Sequence, residues 1–254
     1  MFRGRIAAVS YLNTVPFIYG IEHATGLRAA LLLSPPNGCA AAFSNGSAEI
    51  ALVPAGALPQ IKDYDIVTPF CLGAVNPVRT VVMMSNSPLE EIRRIYLDPH
   101  SVTSALLVKI FCGEHWGISP QWEPLDDYSV ADVPREGDAF LLIGDKVFDY
   151  EGRFRHTWDI AETWQRMTGL PSVFAVWVAR KNVDARTVAS LEEALGHGTR
   201  QIREAIAHYG HSGKPYAYDY LTKNIDYAFD APKHKALTLF LELGRKFSPQ
   251  MNPG

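Results

Sequence analysis

The chain is predicted to adopt an α/β fold, because short, apolar, β-prone runs alternate along it with helical patterns and turn residues. This alternation favours a largely parallel sheet with helices packed against it. The 254 residues are 47% hydrophobic and 20% charged, which is enough apolar surface for one large core or two smaller lobes. The same composition excludes collagen-like, coiled-coil and disordered chains.

Five apolar runs near the amino terminus predict strands. They cover residues 5–10, 27–33, 49–53, 65–68 and 80–85. Pro16 is favoured in the first turn of a helix, and Pro35-Pro36 begins a second helix over residues 37–44. Asn45-Gly46 is expected to end that helix.

A second series of elements follows. Residues 94–97, 139–143 and 174–179 predict strands. A helix over residues 101–116 is apolar on most of its circumference, so it is expected to be buried. A further helix over residues 160–168 is expected to end at Gly169.

The carboxy-terminal third is predicted to be helical. Asp184 and Asp230 each stand where an N-cap is expected. Gly196 and Gly198 are expected to interrupt the first of these helices, because glycine is a poor helix former. Ile202 then resumes the apolar stripe.

Charge and cysteine content narrow the possible partners. The formal net charge is −3, from 24 basic and 27 acidic residues, so neither nucleic acid nor an anionic membrane surface is expected as a partner. The three cysteines are widely spaced with no CxxC pair, which argues against a disulfide framework or a thiolate zinc site.

No signal-peptide pattern and no apolar run near the ~20 residues of a spanning helix is present. A soluble cytoplasmic protein of undetermined oligomeric state is expected.

Conventional catalytic signatures are missing from the sequence. It contains no glycine-rich nucleotide loop, no GxSxG and no HExxH motif, so neither a cofactor nor a metal is expected. His208 and His211 are three residues apart and would share a helical face as metal ligands. Solvated histidines at a helix end are the commoner alternative, since no cysteine or carboxylate pattern accompanies the pair.

Two polar segments precede helices at the positions where open α/β sheets bind ligands. They are SYLNT at residues 10–14 and SVTS at residues 101–104. Their hydroxyl and amide groups, together with the free N–H groups of a helix start, suit a carboxylate or phosphate without any lysine. Each segment is also suited to capping its helix with no ligand. Two such segments in the two halves indicate a cleft that holds a polyanion from both sides.

Two further candidates lie beside predicted strands. Arg79, within NPVRT, can bind a carboxylate through two parallel hydrogen bonds, although a surface salt bridge is an equal alternative. Asp145 follows the strand over residues 139–143 and either orients a ligand hydroxyl or caps a turn. The structural role is slightly favoured for Asp145.

Six segments, taken in order, make the chain similar to the chorismate dehydratase family of menaquinone biosynthesis by the futalosine route. They are SYLNTVPFIYG, the strand ending in LVP, NPVRTV, YLDPHSVTSALL, FLLIGD and TGLPSVFAVWVAR. The resemblance extends from about Ile6 to Arg180. The dihydroxynaphthoate synthase family of the same pathway typically has a first loop like SPCPNDTF with a histidine nearby. This chain has no histidine before His23, which favours the dehydratase.

Members of both families resemble type II periplasmic binding proteins. The resemblance therefore implies two α/β lobes joined by two crossover strands, with a ligand cleft between the lobes. The first lobe is expected at residues 1–82 and 178–254, and the second at residues 83–177.

The resemblance also implies an activity: removal of water from chorismate to give 3-[(1-carboxyvinyl)oxy]benzoate, without a cofactor. Asn13 and Thr80 are expected to be catalytic, with Asn13 closest to the reacting atoms of the substrate. The residues expected to bind the substrate are Ser10, Tyr11, Asn76, Arg79, Ser101, Thr103, Ser104, Asp145 and Phe174. Asn76 stands where the family often has glycine, and Thr80 where it usually has serine. Two alternatives stay open: a cytosolic binding protein or sensor for a small anionic solute, and the related 1,4-dihydroxy-6-naphthoate synthase.

Overall fold

The computed structural model describes residues 4–247, which are arranged around two β-sheets. The strands are β1 (Arg5–Val9), β2 (Ala30–Ser34), β3 (Ile50–Pro54), β4 (Tyr64–Ala74), β5 (Val81–Ser85), β6 (Arg94–Leu97), β7 (Gln121–Pro124), β8 (Asp138–Ile143), β9 (His156–Asp159), β10 (Ser172–Arg180) and β11 (Asp226–Ala228). The helices are α1 (Val15–Glu22), α2 (Pro36–Ser44), α3 (Thr103–Phe111), α4 (Ile160–Thr168), α5 (Ala185–Arg200), α6 (Ile202–His208), α7 (Ala217–Asp219) and α8 (Ala231–Gly244). No helix among these residues combines the length and the apolar character needed to cross a bilayer.

Both sheets contain parallel and antiparallel pairs. The first sheet has the strand order β11-β4-β10-β3-β1-β2, and the second has the order β7-β6-β8-β5-β9. β1 runs parallel to β2 and β3, whereas β10 is antiparallel to both β3 and β4. In the second sheet, β6 runs parallel to β7 and β8, and β5 is antiparallel to β8 and β9. The prediction of a largely parallel sheet is therefore wrong, because the chain re-enters the first sheet in the opposite direction.

The chain passes between the sheets twice, through short segments. It leaves the first sheet after β4 and enters the second at β5, through residues 75–80, and it returns through residues 169–171 to β10. These changes of sheet come a few residues earlier than the expected lobe boundaries after residues 82 and 177. The reason is that β5 pairs only within the second sheet, whereas β10 pairs only within the first.

One apolar core connects the two sheets. Its buried members come from strands of both sheets and from α3, including Ile6, Val53, Val108, Leu141 and Val176. A smaller cluster covers the other face of the second sheet. Close packing in this shared core brings the two sheets into contact.

Several local signals act as the sequence predicts. Asp184 and Asp230 cap α5 and α8, accepting hydrogen bonds from the N–H groups of Thr187 and Lys233. α4 covers the predicted residues and is followed by Gly169, whose φ is 72°. Three short strands, β7, β9 and β11, are additional to the prediction. They have three or four residues each, too few for a period of two to show.

The expected interruption at Gly196 and Gly198 is wrong, because α5 continues to Arg200. Gly198 of α5 and Gly20 of α1 allow the two helices to pack closely, whereas Gly196 lies against Phe70. A Cβ atom on Gly198 would lie 1.8 Å from the carbonyl oxygen of Pro16, and one on Gly20 would lie 1.9 Å from that of Ala194. Side chains at these positions would push the two helices apart, so the pattern marks a contact between helices.

This contact gives a stability prediction for Gly198→Ala. We expect the substitution to lower the free energy of unfolding by about 1–3 kcal/mol, as for other overpacked sites, although alanine is the better helix former. The matched control is Gly213→Ala, because no atom lies within 4 Å of a Cβ placed there. Urea denaturation of both variants makes the measurement. Equal stabilities of the two variants would contradict the role assigned to Gly198.

Candidate functional site

A cleft lies between the two sheets, at the carboxyl ends of parallel strands. Val9 and Pro54 are the last residues of β1 and β3, and Gly144 follows β8; all three line the cleft. The full lining is Val9, Tyr11, Asn13, Pro36, Pro54, Leu72, Gly73, Val78, Thr80, Val81, His100, Ser101, Val102, Thr103, Ser104, Ile143, Gly144, Phe174, Ala175 and Ile225. The space outside the atoms in this cleft, counted together with its part that is open to solvent, is about 580 Å³. Strand ends of this kind are where α/β sheets bind ligands.

The amino-terminal end of α3 is held against the first sheet by one hydroxyl group. Thr103 Oγ1 accepts a hydrogen bond from the N–H of Gly56 at 3.1 Å and donates one to the carbonyl of Phe174 at 2.8 Å. The Thr103 hydroxyl was predicted to hold a carboxylate, but its proton is already used within the protein. Its observed role is to dock the helix.

This end of α3 nonetheless presents free donors to the cleft. Among the described residues, no acceptor pairs with the backbone N–H groups of Val102, Thr103 or Ser104. Ser104 is 4% exposed, and its hydroxyl has no hydrogen-bond partner within residues 4–247. Ser101 Oγ accepts from the N–H of Ala105 at 3.1 Å, which leaves its own proton available. Free N–H groups and hydroxyls at a helix start form an anion site.

A second polar cluster consists of Asn13, Thr80 and Tyr220. Thr80 Oγ1 lies 2.6 Å from the hydroxyl oxygen of Tyr220, which the Asn13 side chain also approaches. Thr14 Oγ1 donates to Asn13 Oδ1 at 3.0 Å, and Tyr227 donates to the Asn13 carbonyl at 3.1 Å. Burial raises the pKa of Tyr220, so its hydroxyl stays protonated. The cluster therefore offers neutral donors to the cleft.

Arg79 positions Thr80 through its backbone. Its φ is 65°, a left-handed conformation that is uncommon for residues other than glycine. The carboxylate of Asp159 accepts its N–H at 2.8 Å and stabilises this turn. The Arg79 side chain pairs with Glu151 at 2.8 Å and lies over the ring of Phe148, outside the cleft lining. The alternative of a surface salt bridge is the one observed for Arg79.

A hydrogen-bonded network surrounds His100, which lines the cleft. Its Nδ1 lies 3.1 Å from the hydroxyl of Tyr11, another lining residue. The fully buried carboxylate of Asp98 accepts hydrogen bonds from the backbone N–H of His100 at 3.0 Å and from Lys146 Nζ at 2.5 Å. Lys146 also donates to the Tyr128 hydroxyl at 2.9 Å. The positive charge of Lys146 thereby balances the negative charge of Asp98.

Asp145 joins the first loop to the second sheet. Both of its carboxylate oxygens lie 3.1 Å from the N–H of Leu12. Burial raises the pKa of Asp145, while the Leu12 hydrogen bond and the nearby Lys214 lower it. Asp145 was expected to bind the substrate, but it is outside the cleft lining and holds the loop that carries Tyr11 and Asn13.

Two other predicted residues are not brought to the cleft. Ser10 is exposed, and its N–H donates to the carbonyl of Ser34 at 3.0 Å. Asn76 is exposed on a separate surface groove that Phe70 and Ile202 also line. The family's usual glycine is therefore replaced at a position whose side chain faces another surface.

Three site residues escaped the sequence prediction as binding groups. His100 was not among the predicted binding residues, although it directly precedes the SVTS segment. Tyr220 and Tyr227 lie in the carboxy-terminal third and reach Thr80 and Asn13 only through tertiary folding. No local motif marks either tyrosine. Within residues 4–247, no group of three or more histidine, cysteine, aspartate or glutamate side chains is arranged to hold a metal.

Comparisons with known proteins agree with this architecture. A family model described as menaquinone biosynthesis matches residues 4–246. A chorismate dehydratase of Thermus thermophilus is 27% identical over 206 residues, which are 72% of this chain and 75% of that protein.

Solved structures share the fold at low identity. Protein AF1704 of Archaeoglobus fulgidus has a TM-score of 0.75 at 16% identity, covering 96% of this chain and 97% of its own. The Candida albicans protein CA3427, described as having the generic periplasmic-binding-protein fold, has a TM-score of 0.64 at 13% identity, covering 98% and 92%. The expected two-lobed periplasmic-binding-protein-like fold is confirmed.

Proposed function

Because the chain belongs to the menaquinone biosynthesis family, we propose that it is a hydro-lyase that removes water from chorismate. The product is 3-[(1-carboxyvinyl)oxy]benzoate, formed in the futalosine route to menaquinone. The observation that carries the proposal is the cleft itself, which is lined both by the free donors of α3 and by Asn13 and Thr80, with Tyr220 hydrogen-bonded to Thr80. The chorismate dehydratase activity named for the Thermus thermophilus relative supports the choice of substrate.

The chemistry of chorismate suits such a cleft. The molecule has two carboxylates, a ring hydroxyl and an allylic ring hydrogen. Removal of that hydrogen as a proton leaves a carbanion delocalised toward the ring carboxylate, and loss of the adjacent hydroxyl makes the ring aromatic. The reaction needs the dianion held in one conformation while donors stabilise the developing charge.

The donors at the start of α3 and the Asn13–Thr80–Tyr220 cluster have different roles in this reaction. The N–H groups of Thr103 and Ser104, with the hydroxyls of Ser101 and Ser104, hold a substrate carboxylate from the second sheet's side. Asn13 and Thr80 act at the departing hydroxyl, where negative charge builds up as the carbon–oxygen bond breaks. Tyr11 and Phe174 complete the wall of the cleft.

The proposed base is the enolpyruvyl carboxylate of chorismate itself. It is tethered near the ring hydrogen that it would take, so proximity offsets its weak basicity. Among the protein's candidates, Asp98 is held by Lys146 and Asp145 by the N–H of Leu12. His100 is the one of these three candidates that lines the cleft.

The first prediction from this proposal concerns the reaction itself. Purified protein should convert chorismate to an aromatic enolpyruvyl benzoate without added nucleotide or metal, as followed by chromatography and ultraviolet absorbance. Tight chorismate binding with no turnover would instead favour the anion-binding protein. Activity on the substrate of the later naphthoate synthase would favour that enzyme.

The second prediction separates the two clusters. Asn13→Ala should lower kcat by about 10²–10³, as for a donor aimed at developing charge. Ser104→Ala should mainly raise KM, because the carboxylate it binds is charged before and during the reaction. Steady-state kinetics on both variants, with circular dichroism to verify folding, make the comparison. An unchanged kcat for Asn13→Ala would remove this residue from the catalytic set.

The third prediction concerns the base. The variants Asp98→Asn, His100→Gln and Asp145→Asn should each retain most of the single-turnover dehydration rate, because none of these groups takes the proton. Folding is verified for each variant before the measurement. A loss of about 10³ or more in one correctly folded variant would identify a base in the protein.

A further inference from the structure

The cleft holds its ligand with almost no positive charge of its own. Within the described part of the chain, the lining residues include no lysine and no arginine. Two nearby cations form salt bridges with carboxylates outside the lining, Arg79 with Glu151 and Lys146 with Asp98. His100 is thus the one lining side chain that is able to carry a positive charge, and its two ring nitrogens are not equivalent.

The hydroxyl group of Tyr11 is hydrogen-bonded to Nδ1 of His100. The Tyr11 ring packs closely against the backbone of Gly144, where an added Cβ would lie 2.9 Å from it. Burial, together with the charge of Asp98, raises the pKa of the Tyr11 hydroxyl, which therefore keeps a proton that it can donate; its oxygen lies 3.1 Å from Nδ1, and Asp98 Oδ1 lies 3.9 Å from the same nitrogen. A neutral imidazole that accepts from Tyr11 at Nδ1 carries its own proton on Nε2, and a doubly protonated ring beside Asp98 carries one there as well.

Nε2 is the free nitrogen of the ring. Within residues 4–247 it has no hydrogen-bond or ion-pair partner, and His100 lines the cleft. His100 stands directly before Ser101, at the end of α3 where the free N–H groups lie. The hydroxyl of Ser104, a residue that is 4% exposed, has no hydrogen-bond partner among the described residues and lines the same cleft. A third type of donor is therefore available to an anion bound there.

We propose that His100 binds the ligand carboxylate held at the start of α3 by donating a hydrogen bond from Nε2, and that Tyr11 is the positioning residue that orients the ring. The identity of the carboxylate as one of those of chorismate rests on the proposed function. The hydrogen bond itself does not depend on turnover, since it serves any aromatic or cyclic carboxylate that fits the cleft.

Two amide substitutions test which nitrogen matters. In His100→Asn the side-chain amide lies near the position of Nδ1 and nothing replaces Nε2. In His100→Gln the longer side chain carries an N–H donor to the neighbourhood of Nε2. If Nε2 binds the carboxylate, His100→Asn should weaken binding about tenfold or more, as for a lost hydrogen bond to a charged group. His100→Gln should stay within about threefold of the wild type. A purely structural contact between His100 and Tyr11 predicts the reverse order.

Tyr11→Phe tests the positioning role. Removing the hydroxyl frees the ring of His100, so affinity should fall to a value between those of the wild type and His100→Asn. Adding Tyr11→Phe to His100→Asn should change affinity no further, because the hydroxyl acts only through the imidazole. His23→Asn is the matched control, since His23 is exposed on α1's carboxyl end and outside the cleft lining.

Two readouts separate this inference from the proposed function. One is the dissociation constant for isophthalate, a stable ring dicarboxylate, by calorimetry; the other is KM for chorismate. Chorismate turnover with the same KM and isophthalate affinity in His100→Asn and the wild type would overturn the inference alone. Isophthalate binding with the expected order of variants, but no chorismate turnover, would overturn the function alone. A wild type that binds neither compound would overturn both.

Discussion

The site depends on the docking of α3 against the strands of the other sheet. Thr103 makes this contact, accepting from Gly56 beyond β3 and donating to Phe174 in β10. Gly56 permits the approach, because a Cβ there would lie 3.1 Å from Thr103 Cα. α3 follows β6 of the second sheet, so these two hydrogen bonds bring its free N–H groups to the strand ends of the first sheet. The free donors of α3 and the strand-end loops share one cleft for this reason.

The same arrangement decides how the cleft holds charge. Fixed N–H and hydroxyl donors replace a lysine or arginine, and apolar side chains such as Val81 and Ile143 line the cleft beside them. Preoriented donors need no rearrangement as a reaction proceeds, and their interaction strengthens where charge accumulates. In the proposed reaction, charge accumulates on the ring carboxylate and on the departing hydroxyl. Differential stabilisation of that kind raises kcat, which equal binding of substrate and transition state does not.

Much of the fold could be predicted from local sequence signals, whereas contacts between residues distant in the sequence could not. Caps such as Asp184 and the position of α4 follow from short-range chemistry. Gly198 was misinterpreted, because glycine in a helix marks either a break or a close neighbour, and only the packing of α1 distinguishes them. For the site, polar loops before helices indicated the cleft. The roles of Tyr220 and Asp145 were hidden because their partners, Thr80 and Leu12, are more than 100 residues away.

Neither half of the molecule holds all the polar groups that the proposed dehydration requires. Ser104, in α3, and His100, in the loop before α3, both follow β6 of the second sheet, whereas Asn13 follows β1 of the first. A substrate that touches one side alone meets donors for only one of the two developing charges, so it is bound without being dehydrated. The hydrogen bonds of Tyr11 with His100 and of Leu12 with Asp145 join the two sides. For the proposed dehydration, a binding-protein fold therefore needs no added nucleophile; it needs a cleft in which each side stabilises one charge.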